Sequence, residues 1–206
     1  MRRSLLVVAA CLVAGPAHAD LLSLRLEAHG GGAGGVGVAG DQKDNAFQAG
    51  ARGGAYGALV GVEVLFIDVW VQHHQFNDGA LVGTWTQFMT GMDVDVDLGA
   101  PTGGKKGRPK GYFEAGLGLG FGVGTGQQVV LPLDNGEVTD KGFLLEAKLG
   151  AGLNLGPLFS IGVVVPVSGG YFFKSGPGIV ANDQGTHYQA VDAAVLVNFR
   201  AKLKLK

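Results

Sequence analysis

Apolar and polar residues alternate with a period of two along most of the chain. Near its end, for example, Val197 and Phe199 alternate with Asn198 and Arg200. Successive side chains of a β-strand point to opposite faces, so each such segment is predicted to be a strand with one apolar face. Eight segments show the pattern: Leu21–His29, Ala49–Val64, Phe66–His74, Leu81–Leu98, Tyr112–Gly124, Phe143–Leu155, Phe159–Phe173 and Tyr188–Leu205.

The fifth segment carries the most regular version of this pattern. From Gly116 to Gly126 every second residue is glycine, and Leu117, Leu119 and Phe121 lie between glycines. One face of this strand is therefore apolar, and the other has almost no side chains. We expect the empty face to line a narrow barrel, where glycine leaves room for larger residues that pack across from it.

The composition decides between a soluble and a membrane-embedded β-structure. Charged residues make up 16% of the chain, below the usual share of about 25%, and 38 residues are glycine. A water-facing sheet surface would carry more charge. The sequence therefore predicts an all-β fold: a single up-and-down antiparallel transmembrane β-barrel of about eight strands, with lipid outside and a narrow lumen inside. A ten-stranded count stays open, because segment 81–98 is irregular and the connections are long.

The first residues predict export. Met1, Arg2 and Arg3 precede the apolar run LLVVAACLVA, and AHA ends at residue 19. This is the pattern of a cleaved signal peptide, too short to span a membrane, so we divide the chain into a signal peptide (1–19) and an outer-membrane barrel domain (20–206). The alternative for Cys11 is a lipid-modified N-terminus, which would require an unusually short apolar run.

The connections predict which end of the barrel is which. With a periplasmic N-terminus, the outer loops fall at 30–48, 75–80, 125–142 and 174–187, and they contain turn-rich polar sequences such as LPLDNGEVTDK. The inner turns fall near 64–66, 99–111 and 156–158. The second inner turn is basic, and we expect it to lie beside the acidic stretch before it; its basic residues are Lys105, Lys106, Arg108 and Lys110.

Charged residues recur on the glycine-rich face of the strands. Both signs occur, and unpaired charges in a narrow lumen are costly, so we interpret them as a paired network that plugs the barrel. The alternative is a narrow ion path gated by the same network. The predicted lumen charges are Arg25, Glu27, Glu63, Asp68, Glu114, Glu146, Lys148, Asp192 and Arg200.

Two glycine-rich stretches resemble nucleotide-binding motifs but lack their context. Gly30–Gly35 fits G-x-G-x-x-G, yet no helical pattern follows, and we interpret it as a strand end that leads into a loop. GAPTGGKK at 99–106 is close to a phosphate-binding loop, but Lys106 stands where a serine or threonine should be. The sequence therefore predicts no cofactor.

The candidate catalytic and metal-binding residues are equally weak. Asp93, Asp95 and Asp97 lack the glycine and glutamate of a calcium loop, so they are interpreted as a charged strand end that faces basic neighbours. His73 and His74 are adjacent and would point to opposite faces of a strand. No serine lies within several residues of either histidine. We therefore predict no catalytic residue, no metal site and no enzymatic activity.

Aromatic residues lie towards segment ends more often than towards their middles. This distribution is typical of the aromatic girdles at the two membrane surfaces, with ordinary packing as the alternative for each residue. The girdle candidates are Tyr56, Trp70, Trp85, Phe88, Tyr112, Phe113, Phe143, Tyr171, Phe172 and Tyr188.

The AHA signal end, the eight alternating segments and the final strand AVLVNFRAKLKLK resemble the small eight-stranded outer-membrane proteins of the OmpA, OmpX and OmpW type. The resemblance is architectural, and the chain departs from it by closing on Leu205-Lys206 rather than on an aromatic residue. It implies a structural or partner-binding role in the envelope of a Gram-negative cell; the alternative is a small porin-like pore or carrier for ions or hydrophobic solutes. Expected partners are outer-membrane lipid, the outer-membrane assembly machinery and other envelope proteins met through the outer loops or the basic inner turn, and not nucleic acid.

Overall fold

The computed structural model describes residues 22–40, 53–78, 81–98, 109–128, 137–175 and 187–205. These residues form eight antiparallel strands, each hydrogen-bonded to the next, and β8 pairs with β1 to close a barrel. The all-β, eight-stranded, up-and-down prediction is thereby confirmed, and the ten-stranded count is excluded. The strands are β1 (Leu22–Gly40), β2 (Gly53–Val64), β3 (Ile67–Asp78), β4 (Leu81–Asp97), β5 (Lys110–Gln128), β6 (Glu137–Asn154), β7 (Phe159–Ser175) and β8 (His187–Leu205).

The strands are strongly tilted against the barrel axis. A row of paired residues that starts at Glu27 on β1 passes through Gln72 on β3 and Phe172 on β7, and returns to β1 at Gly40. Such a stagger is what allows a sheet to close on itself. Because every strand is paired on both sides over most of its length, closure leaves few unpaired backbone groups.

Several strands run further than the alternation predicted. The predicted loops at 30–48, 75–80 and 125–142 were wrong in part, because Gly30–Gly40 continues β1, Gln75–Asp78 continues β3, and residues 125–128 and 137–142 continue β5 and β6. The loop predicted at 174–187 and the turn predicted at 99–111 are shorter by one or two residues at their ends, because β7 runs to Ser175, β8 begins at His187 and β5 begins at Lys110. Gly30 to Gly37 pair with β8. Glycine donates and accepts backbone hydrogen bonds like any residue, so the ladder continues where the side-chain pattern ends.

Two connections lie within the described residues. A two-residue turn, Leu65 and Phe66, joins β2 to β3, and Leu65 has a positive φ of 59°. Residues 155–158 join β6 to β7. The predicted signal peptide with Cys11, the basic residues Lys105, Lys106 and Arg108, and most of the predicted outer loops lie outside the described residues.

The two faces of the sheet have opposite character. Outward-facing Leu117, Leu145 and Phe143 are 69%, 67% and 65% exposed, whereas inward-facing Glu114 and Asn198 are each 1% exposed. Apolar side chains therefore cover the outside, and most of the buried positions inside are polar or charged, the reverse of a water-soluble barrel. In the described residues, no helix has the length and apolar character needed to cross a membrane.

Candidate functional site: the barrel interior

Asp93 is the centre of an ion-pair network inside the barrel. Arg25 Nη1 and Lys148 Nζ both donate to Asp93 Oδ2, although the three residues belong to β1, β6 and β4. All three side chains are less than 10% exposed. The alternation of β4 directs Asp93 inward, and Gly116 on the neighbouring strand leaves room, because a Cβ there would overlap the Asp93 carboxylate. The network thus joins walls that are not adjacent in the sheet.

Arg200 on β8 extends this network towards the other wall. Its Nε donates to Glu27 Oε1 at 2.7 Å, and its Nη2 donates to Glu114 Oε2. Asn198 Nδ2 donates to the second oxygen of Glu27 at 3.3 Å, and Arg25 Nε lies 3.6 Å from Glu27 Oε1. Each buried cation therefore meets at least one carboxylate, the arrangement that offsets the cost of burying charge.

A second set of contacts lies nearer the end of the barrel where β1 begins and β8 ends. Lys202 Nζ lies 2.6 Å from Glu63 Oε2 and 3.5 Å from Asp95 Oδ2. Ser23 Oγ donates to the same Glu63 oxygen at 2.8 Å. We call all these residues together the charge network: Ser23, Arg25, Glu27, Glu63, Asp93, Asp95, Glu114, Lys148, Asn198, Arg200 and Lys202.

All nine lumen charges predicted from the sequence face inward, and six of them belong to the charge network. Asp68, Glu146 and Asp192 form no ion pair with another described residue. Glu146 instead accepts a hydrogen bond from Ser168 Oγ at 3.4 Å, and Asp192 pairs in register with Ser168. The predicted set therefore separates into a paired group and an acidic group.

The predicted set omitted three charged members of the network: Asp93, Asp95 and Lys202. The Asp93–Asp97 stretch was expected to face basic neighbours, and it does, but Asp93 and Asp95 contact Arg25, Lys148, Arg200 and Lys202. The signal was available in the alternation, because Asp93 and Asp95 share the phase of the inward Gln87 and Met89 on β4.

An apolar cluster fills the lumen beyond the charge network. Its members come from five strands, so it crosses the barrel instead of following one wall. Trp85 on β4 and Phe172 on β7 meet edge to face, with ring centroids 5.6 Å apart. We call this set the apolar cluster: Leu59, Trp70, Trp85, Met89, Leu144 and Phe172.

Glycines on β5 make this packing possible. A Cβ added at Gly118 would lie 2.5 Å from Trp70 Cη2, and one added at Gly122 or Gly124 would overlap the Trp85 ring. The empty face of β5 is therefore the surface on which two tryptophans lie. Trp70 and Trp85 are thus the larger lumen residues for which the glycines of β5 leave room.

Four of the predicted girdle aromatics lie inside the barrel, so that prediction was wrong for Trp70, Trp85, Tyr112 and Phe172. Cations explain two of these positions. Arg25 and Lys148 lie 5.8 and 5.5 Å from the Trp70 ring centroid, and Arg200 lies 5.7 Å from that of Tyr112. The candidates that face outward are Tyr56, Phe88, Phe113, Phe143 and Tyr171; the side chain of Tyr188 lies outside the described part.

The histidines form a pair that the sequence did not indicate. His73 points outward and His74 inward, as adjacent strand residues must, and His73 Nδ1 lies 2.9 Å from Thr86 Oγ1. Inside, His74 Nδ1 lies 3.1 Å from His29 Nε2 on β1. Gly57 on the intervening strand permits this approach, because a Cβ there would lie 2.9 Å from His29 Nε2.

Neither a metal centre nor a nucleophile–base pair emerges from the described residues. No group of three or more His, Cys, Asp or Glu side chains among them could hold a metal ion. The hydrogen bonds of inward Ser23 and Ser168 go to Glu63 and Glu146, not to either imidazole. What this arrangement does chemically is hold paired charges inside the barrel.

Comparison with known proteins supports the fold. No family model matches the chain, and the curated proteins contain no match to it. Among solved structures, it is similar to the crystal structure of Neisserial surface protein A (NspA), with a TM-score of 0.57 and 10% identity over 88% of this chain and 97% of that one. At this identity the likeness shows the fold alone, and it confirms the architectural resemblance to small eight-stranded outer-membrane barrels.

Proposed function

We propose that this chain is an integral outer-membrane β-barrel protein, exported with a cleaved signal peptide, that acts without catalysis in the cell envelope as a structural or partner-binding protein. The observation that carries the proposal is the inversion of the two faces. Soluble monomers rarely expose contiguous apolar surface of more than a few hundred Å². Here outward side chains on all eight strands are apolar and exposed, a surface that suits the hydrocarbon of a bilayer.

The contents of the lumen favour a structural role over a pore. The charge network and the apolar cluster both occupy the interior, and both bridge strands that are not neighbours. Transport would require the lumen to open. A non-conducting barrel leaves its outer loops and its exterior as the surfaces through which it acts.

Membrane location is tested by expression in a Gram-negative cell followed by fractionation. We expect the protein in the outer-membrane fraction, resistant to carbonate extraction, with a mature N-terminus at Asp20 by mass spectrometry. Folded small barrels keep their structure in cold detergent, so the unheated band should migrate differently from the heated one. Recovery as a soluble periplasmic protein would contradict the proposal.

The pore alternative is tested separately by single-channel recording of the refolded chain in a planar bilayer. A structural protein should give no discrete openings, whereas reproducible openings would make a pore the leading function. Cross-linking of intact cells, followed by purification, would then identify the envelope proteins that the silent barrel contacts.

A further inference from the structure

The charge network and the apolar cluster lie in series along the lumen. On β6, Lys148 belongs to the network, and Leu144 lies two inward positions further towards the 129–136 connection, beyond Glu146. On β3, Asp68 precedes Trp70, which contacts both layers. Anything that crosses the barrel must therefore pass both layers.

The two layers differ in their need for water. In the charge network, Arg25 Nε and Nη2, Asp93 Oδ1, Glu114 Oε1 and Asn198 Oδ1 are buried without a hydrogen-bond partner among the described residues. Buried polar atoms without a protein partner are normally satisfied by internal water. Two such atoms lie at the level of the apolar cluster: Trp70 Nε1, and Oε1 of Gln87, which lies between Trp85 and Met89 on β4. Water therefore finds more polar partners in the network than at the level of the cluster, whose own side chains are mostly apolar.

We propose that the apolar cluster, closed by the Trp85–Phe172 contact, is the seal of this barrel. The charge network is then a hydrated passage that conducts no ions because the seal closes the lumen beyond it. The inference rests on the proposed function, a closed barrel in a membrane, and adds which residues close it. Apolar constrictions stop ions because water leaves them, whereas a charged and wet segment does not present that barrier.

The wall beside Trp85 cannot replace the ring if it is removed. Gly122 and Gly124 face the indole, and a glycine has no side chain that could move into the vacated space. The opening should therefore persist. It should also favour cations, because inward acids outnumber inward bases among the described residues once the strand-end residues Asp97, Lys110 and Lys204 are set aside: Glu27, Glu63, Asp68, Asp93, Asp95, Glu114, Glu146 and Asp192 against Arg25, Lys148, Arg200 and Lys202.

The experiment compares four variants with the wild type by single-channel recording in a salt gradient. W85A/F172A removes the seal, with the single variant W85A as a milder version. D93N instead breaks two contacts of the charge network. F121A/F143A is the matched control, because these rings form a similar edge-to-face contact, 5.5 Å between centroids, between neighbouring strands away from the lumen. Cold-detergent mobility establishes that each recorded protein is folded.

We expect discrete openings from W85A/F172A, with a reversal potential shifted towards that of the cation, and silence from the wild type, D93N and F121A/F143A. A folded but silent W85A/F172A and W85A would overturn the inference, as would openings from D93N alone. Openings from the wild type would overturn the closed barrel itself. Failure to insert into the bilayer would instead count against the proposed membrane location.

Discussion

Asp93 accepts hydrogen bonds from two buried cations with a single carboxylate oxygen, so its charge matters more than its size. Asp93→Asn keeps the shape but leaves Arg25 and Lys148 without that anion. Uncompensated buried charge is costly, and we expect a loss of about 3 kcal/mol in the free energy of unfolding. Denaturant titration in detergent, followed by tryptophan fluorescence, measures it.

The matched control is Asp97→Asn on the same strand. Asp97 is exposed and accepts one hydrogen bond from Asn154, at 2.9 Å. An exposed substitution of this kind should change stability by no more than about 0.5 kcal/mol. Equal effects at the two positions would show that Asp93 does not serve as the centre of a buried network.

Leu65 holds a backbone conformation that suits glycine. It is the first residue of the two-residue β2–β3 turn, with φ of 59°, where a Cβ crowds the backbone. We expect Leu65→Gly to raise the free energy of unfolding by about 1 kcal/mol, because relief of this strain exceeds the entropy cost of glycine. Leu158→Gly, in the β6–β7 connection, is the comparison and should not stabilise. A destabilised Leu65→Gly would mean that the leucine side chain is needed in the turn.

On β5, the inward glycines determine where large lumen side chains can pack. Its inward glycines accept Trp70 and Trp85, so a side chain at Gly118 would meet the indole of Trp70. We expect Gly118→Val to cost about 2 kcal/mol by overpacking. Gly30→Val is the matched control, because the nearest atoms to its Cβ position are 3.8 Å away. Refolding yield and denaturant midpoints of the two variants give the comparison, and similar midpoints would argue against tight packing on β5.

The strands could be predicted in phase but not in length. Alternation specifies which side chains of β4 or β8 face inward, because a shift by one residue would turn every apolar residue into the lumen. It says nothing where both faces are small, as from Gly30 to Gly35, since backbone pairing with β8 continues there without a side-chain pattern. Charge predicts a lumen position better than an aromatic ring does, because rings occur on both faces: Trp70 points inward and Phe113 outward.

At the scale of the whole molecule, the interior depends on contacts between strands far apart in the chain. Trp85 meets Phe172, and His29 meets His74, across glycine-lined walls. Periodicity predicts that these side chains point inward, but not which of them are level with one another, because that depends on the stagger of the closed sheet. The nine predicted charges could therefore be assigned to a face, whereas their division into paired and acidic groups could not.

A charged substitution on the apolar exterior can distinguish a membrane barrel from a soluble one, because the charge is costly only where the exterior faces lipid. Leu117 lies near the middle of β5 and is 69% exposed; Leu98 follows the end of β4 and is 63% exposed. In water, arginine would be tolerated equally at these two exposed positions. In a bilayer, arginine costs about 2–4 kcal/mol at the midplane and about 0–1 kcal/mol near the interface.

We therefore expect Leu117→Arg to lower the free energy of unfolding in lipid vesicles by about 3 kcal/mol relative to Leu98→Arg. Denaturant titration of both variants in vesicles measures the difference. The same titration in a detergent micelle, which adapts around a charge more easily, should reduce it. Equal stability of the two variants in vesicles would mean that the centre of β5 does not face hydrocarbon, and the barrel would then need a protein partner to cover its exposed leucines, valines and phenylalanines.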